Sequence, residues 1–142
     1  MTDAPEAMEE LSQEEMTGLL MRTRYGRLGL AFENEAYVVP VSFLYDGEAV
    51  RFCIGKVGKM TTYLQANPQV CFEVDDVTDR GWCSVICYGT ATLSDADDAR
   101  REFLRLSGKE SPSDGRPEQN QRYYCIMSID EMTGRRSQGY VA

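Results

Sequence analysis

The 142-residue sequence contains no histidine. That absence rules out Ser-His-Asp and Cys-His machinery and removes the usual general base near neutral pH. No CxxC spacing occurs among Cys53, Cys71, Cys83, Cys87 and Cys125, and their number is odd, so structural zinc is not expected. Four of the five lie in apolar, strand-like runs, where reduced thiols act as small hydrophobes. Long hydrophobic runs are missing as well, so no membrane-spanning helix and no membrane partner are expected. Positive charge is scarce: 15 Lys and Arg stand against 23 Asp and Glu, for a net charge of −8. A nucleic-acid binder needs a basic face to neutralise phosphates, so nucleic acid is not an expected partner. The acidity is concentrated in Met1–Glu15, which has no base and does not read as a signal peptide. A cytoplasmic location is the expectation.

What is present is an ample supply of core. The composition is 42% hydrophobic, with eight Tyr and five Phe, enough for one buried domain at this length. Residues 1–11 read as an acidic flexible tail. Residues 12–142 read as a single domain.

The focal stretch is Arg51–Leu64. Val50, Phe52 and Ile54 alternate with Arg51 and Cys53, which predicts a strand over Ala49–Gly55. Gly55 and Gly58 break it. A short helix follows over Lys59–Ala66, stopped by Asn67-Pro68. Two glycines and two lysines between a strand and a helix start can form an anion cradle. Free backbone N–H groups and the helix dipole both favour negative charge there, and Lys56 and Lys59 add full charges. The spacing matches neither the Walker pattern nor GxGxxG, so a solvated loop with two surface lysines stays open as the alternative.

Elsewhere the pattern is mostly strands. Ser12 and Glu15 form a capping-box signature for a helix to about Thr23, with Met16, Leu19 and Leu20 inward. Strands are predicted over Arg27–Phe32 and Ala36–Tyr45, the second with a ladder interrupted at Pro40. Asp46-Gly47 reads as a two-residue hairpin turn. Gln69–Val74 is a strand, Asp75–Gly81 a polar loop, and Trp82–Leu93 a long strand with a bulge near Gly89. An acid-led helix runs from Ser94 to about Ser107 and ends at Gly108. Lys109–Asn120 reads as a loop, Tyr123–Ile129 as the sixth strand and Thr133–Ala142 as a polar tail. Six strands joined mainly by hairpins, with interspersed helices, predict a mainly β, antiparallel barrel with flanking helices.

These residues carry a resemblance. Gly26-Arg27-Leu28-Gly29, Tyr37 to Phe43, Phe52 to Lys59, Asn67 to Val74, Trp82 to Val85 with Gly89, and Thr133-Gly134-Arg135 resemble, in order, the pyridoxamine 5′-phosphate oxidase-like FMN-binding split-barrel superfamily. The branch most resembled is the nitroimidazole-resistance (Nim) type. The resemblance implies a six-stranded split β-barrel that forms a homodimer with FMN at the interface. It implies that Lys56, Gly58 and Lys59 hold the flavin phosphate. It places the ring along Val39, Pro40, Val41 and Ser42 and along Phe52, Cys53 and Ile54, with Trp82 and Ser84 on a further lining strand.

Two departures bear on activity. Nim-type sequences carry histidine where this chain has Cys53, which makes that thiol the candidate catalytic residue and equally a small packing residue. The longer C-terminal segment of pyridoxamine phosphate oxidases proper is not matched, so that oxidation is not the expected activity. The expected function is an FMN-dependent oxidoreductase passing electrons from NAD(P)H or another donor to a small acceptor, nitroaromatic or quinone-like. The alternative is a non-catalytic protein of the same fold that binds or senses flavin, deazaflavin or haem. Haem would then need a Cys, Tyr or Met ligand.

Overall fold

The computed structural model describes residues 7–108 and 122–141. The elements are β1 (Met8–Glu10), α1 (Gln13–Arg22), β2 (Tyr25–Phe32), β3 (Glu35–Ser42), β4 (Leu44–Tyr45), β5 (Ala49–Gly55), α2 (Lys59–Ala66), β6 (Gln69–Thr78), β7 (Gly81–Ser94), α3 (Asp97–Ser107) and β8 (Arg122–Ser137). The strands pair antiparallel along the path β3-β2-β6-β7-β8-β5-β4, and β1 adds to β8.

The two ends of that path are consecutive in the chain. Only Phe43 separates β3 from β4. Its N–H donates to the Arg24 carbonyl at 3.2 Å, and Leu44 then pairs with Arg51. One continuous segment therefore leaves β2 and crosses to β5. The sheet curls into a barrel that is split where β3 and β5 part. This is the antiparallel split barrel with flanking helices that the sequence predicts. Its six main strands appear once β3 and β4 are taken together.

Strand alternation fills the barrel. Phe52, Phe72, Leu28 and Met127 are fully buried inside it, and Phe43 packs edge-on to Phe72 at 4.8 Å between ring centroids. Each such apolar side chain contributes roughly 1.5–3 kcal/mol through burial. At one end α1 buries Met16, Leu19 and Leu20, and its capping box forms as expected, with Ser12 Oγ accepting from Glu15 N–H at 3.1 Å. At the other end α2 buries Thr61, Tyr63 and Leu64.

Several expectations are corrected. The β2–β3 register runs unbroken from Tyr25↔Ser42 to Phe32↔Glu35, through Arg27↔Pro40, so Pro40 does not interrupt the ladder. Proline is tolerated because β3 ends the sheet path and one of its edges is free. The break falls at Phe43 instead. The turn before β5 is centred on Gly47-Glu48, not Asp46-Gly47: Asp46 N–H donates to the Ala49 carbonyl, and its carboxylate accepts from Glu48 and Ala49 N–H. Residues 75–78 belong to β6, so the expected loop shrinks to a tight turn before Gly81.

The first half of the expected C-terminal tail is strand. β8 runs on to Ser137 because its second half pairs with both β7 and β1. Met8–Glu10 is accordingly β1 rather than flexible tail, held in part by Arg136 against Glu9 at 2.8 Å. Residues 1–6 and the expected loop at 109–120 lie outside the described residues. The bulge expected near Gly89 is present. Tyr88 pairs with Glu131 and Gly89 with Ile129, leaving Asp130 as the extra residue. A Cβ on Gly89 would clash with the Ser128 carbonyl oxygen, so only glycine fits there. No helix among the described residues is long and apolar enough to cross a membrane.

Candidate functional site

The split has two lips. Leu44↔Arg51 and Tyr45↔Val50 set a register that, if continued, would place Ser42 opposite Cys53 and Pro40 opposite Gly55. Instead Ser42 and Pro40 pair with Tyr25 and Arg27 of β2, and the strands diverge. Alternation sorts the candidate residues into two sets. Pro40 and Ser42 face outward and are exposed, with Val39 half-buried behind them. On the facing lip Cys53 is outward and half-buried. Phe52, Ile54 and Val41 turn into the core, at 0%, 3% and 9% exposure. Their side chains are therefore not available to a ligand, and only their backbone lines the split.

The α2 N-terminus closes one end of the split. Its cap is Gly58, at φ 145° and ψ 172°, a region essentially reserved for glycine. The first intrahelical bond is Thr62 N–H to the Gly58 carbonyl at 3.0 Å. The amides of Lys59, Met60 and Thr61 thus have no helical acceptor, and no side chain caps them. Thr61 Oγ1 instead donates to the Gly55 carbonyl at 2.5 Å, which ties the helix start to the end of β5. Orphan donors, a helix dipole and two lysines meet the requirements of an anion site.

The two lysines lean to opposite sides. Lys59 Nζ lies 4.6 Å from the Tyr37 ring centroid and 3.9 Å from a Glu35 carboxylate oxygen. Lys56 Nζ donates to Asp95 at 2.8 Å and lies 5.5 Å from the Tyr123 ring centroid. The Asp95 hydrogen bond raises the Lys56 pKa, and the same bond holds the Asp95 carboxyl below its ordinary range. Cys53 receives a long contact, 3.5 Å, from an Arg122 guanidinium nitrogen.

Trp82 and Ser84 do not join this group within the chain. They lie on β7, separated from β3 by β2 and β6 and from β5 by β8. Trp82 N–H donates to Ser137 Oγ at 2.9 Å. Val39, Pro40, Val41, Ser42, Phe52, Cys53, Ile54, Lys56, Gly58 and Lys59 do gather around the split. Tyr37, Asp95, Tyr123 and Arg122 belong with them and were not identified from the sequence. Asp95 reads as part of an acid-led helix start, but the helix begins only at Asp97, which leaves Asp95 to pair with Lys56. No group of three metal-ligating side chains occurs among the described residues.

The sequence profile described as pyridoxamine 5′-phosphate oxidase matches residues 12–136. No curated protein matches the chain. Among solved structures, an FAD-binding protein from Mesorhizobium loti is 26% identical, with TM-score 0.75, over 92% of this chain and 99% of that one. A candidate 5-nitroimidazole antibiotic resistance protein from Bacteroides thetaiotaomicron is 18% identical, with TM-score 0.73, over 92% and 89%. An FAD and haem binding protein from Mycobacterium smegmatis is 18% identical, with TM-score 0.77, over 92% and 74%. At 18% identity the last two speak for the fold.

Proposed function

The chain belongs to the pyridoxamine 5′-phosphate oxidase family, and from that premise we propose that it is a flavoprotein that holds FMN in the β3–β5 split and acts as an oxidoreductase. The observation that carries this reading is the uncapped α2 N-terminus at the end of the split. Its free amides, with Lys56 and Lys59 on either side, suit a phosphate monoester. The lips suit a flat ring with a polar edge: Val39 and Pro40 offer apolar surface, and Ser42 offers a hydroxyl and backbone groups.

A flavin so held supplies hydride and electron transfer, taking two electrons from NAD(P)H and returning them to a small acceptor such as a nitroaromatic or quinone. The chain's own part is to bind and orient. Lys59 and Lys56 neutralise the phosphate, Gly58 keeps the helix amides open to it, and Cys53 shapes the facing lip. With no histidine in the sequence, the protein itself offers no imidazole to exchange protons.

The working unit in this reading is a homodimer with two sites. Trp82 and Ser84 lie on a strand remote from the split of their own chain, which supports their reaching the split of a second copy. The test is anaerobic mixing of the FMN-loaded protein with NADH or NADPH. Bleaching of the flavin, and recovery on adding a nitroaromatic or quinone, supports an oxidoreductase. Bound flavin that no nicotinamide donor bleaches leaves a flavin-binding protein without this turnover.

A further inference from the structure

We propose that the groove between α1, α3 and the β3–β4 corner binds a flat aromatic anion, with Arg24 as its counter-charge. Its role as the electron-accepting substrate rests on the flavin reading above; its binding does not.

The groove encloses about 620 Å³, within the range of small-molecule sites. Its walls are ring-rich. Tyr25, Phe43, Tyr45 and Phe103 all line it, with leucines from α1, β4 and α3 between them. Aromatic walls favour a planar guest, through offset and edge-on contacts. Among the described residues Arg24 is the only charged one in the lining, in a protein where acids outnumber bases 23 to 15. Among the described residues the Arg24 guanidinium has no hydrogen-bond or ion-pair partner. An unpaired arginine beside an aromatic cavity with no acid among its described lining residues is matched by a carboxylate carried on a ring, which guanidinium can bind with two parallel hydrogen bonds.

Position supplies the second argument. Ser42 lines this groove and is also the last residue of the β3 lip. A ligand seated among the rings would therefore reach the flavin ring at the mouth of the split. The α3 wall is suited to admitting a guest. Phe103 packs on Tyr124 at 5.5 Å between centroids, yet no residue of α3 is fully buried. Part of its apolar face is left to the groove.

The test is calorimetric titration with 4-nitrobenzoate and its neutral counterpart 4-nitrobenzamide, with and without FMN. The wild type is expected to bind the carboxylate at least tenfold more tightly than the amide. Arg24→Gln, an exposed position that leaves the fold intact, is expected to erase that preference. Leu104→Trp, which fills the groove, is expected to weaken both compounds. FMN affinity should be unchanged in both variants. No carboxylate preference in the wild type, or a preference that survives Arg24→Gln, overturns the proposal. If FMN fails to bind while the Arg24-dependent preference persists, the flavin reading falls and the groove stands. If FMN binds and the preference is absent, the groove falls and the flavin reading stands.

Discussion

Lys59 at the start of α2 sits over the ring of Tyr37 in β3, 4.6 Å from its centroid. This cation–π contact pins the helix N-terminus against one lip of the split. Glu35 at 3.9 Å completes the local balance of charge. Lys56 is held the same way on the other side, by Asp95 and over Tyr123. Each lysine thus has an aromatic platform and a carboxylate partner that an incoming phosphate would have to outcompete.

The Asp95–Lys56 pair makes a prediction with a sign opposite to the usual loss. Asp95→Asn removes the competing anion and leaves Lys56 for the phosphate. FMN affinity should rise by roughly two- to tenfold, as expected when one exposed charge pair is relieved. Fluorescence-quench titration of FMN at low salt checks this, and added salt should shrink the difference.

Gly58 is a second point of leverage. At φ 145° and ψ 172° any Cβ brings backbone strain, although there is open space around the position. Gly58→Ala should cost about 1–3 kcal/mol in a denaturant melt. It should also weaken FMN binding by rotating the first amides of α2. Gly55→Ala is the control: its φ lies outside the left-handed range and its nearest new contact is at 3.6 Å, so the effect should be small.

Asp46 predicts a pH dependence. Burial pushes its pKa up, but the Ala49 and Glu48 amides and the Arg51 guanidinium outweigh that and hold it below the ordinary value of 3.8. A depressed carboxyl stabilises the fold above its unfolded pKa and loses that contribution as pH falls through the folded pKa. Asp46→Asn should therefore melt below the wild type at pH 7, and the gap should close as the buffer is taken below pH ~3. A gap that stays constant across this window would contradict the assignment.

The thiols should separate by burial. Cys83, Cys87 and Cys125 are buried, and desolvation pushes Cys87 and Cys125 up to about 12. Cys53 and Cys71 are half-buried on the outer face. Native protein should titrate two thiols with a disulfide reagent at pH 8, and denatured protein all five. Bound FMN should protect Cys53 and leave Cys71 reactive.

The sequence is most readable where period and punctuation agree. The bounds of β5 and α2 are as expected, because strict alternation, two glycines and Asn67-Pro68 mark every edge. Residues whose state depends on a distant partner are not readable this way. Met8–Glu10 and Thr133–Ser137 are polar and look like tails; the first is a strand because it pairs with Arg135, Arg136 and Ser137, and the second because it also pairs with β7. Pro40 marks an edge strand, but nothing local to it says that the break waits until Phe43, whose N–H turns to Arg24. At the site, alternation along β5 already implies that Phe52 and Ile54 share the core face and leave only Cys53 for a ligand. Reading the whole segment as a lining mixes two faces of one strand. Asp95 gains its partner, Lys56, only through a contact between elements far apart in sequence.

The central claim is that the α2 N-terminus and its lysines hold a flavin phosphate. The most direct measurement is an FMN titration of the purified wild type and of Lys56→Ala/Lys59→Ala, followed by flavin absorbance and fluorescence, with riboflavin alongside. The account predicts that the wild type binds FMN, that the double variant binds it at least tenfold more weakly, and that riboflavin, which lacks the phosphate, binds both proteins equally and weakly. Equal FMN affinity in the two proteins, or no flavin binding by the wild type, would contradict it.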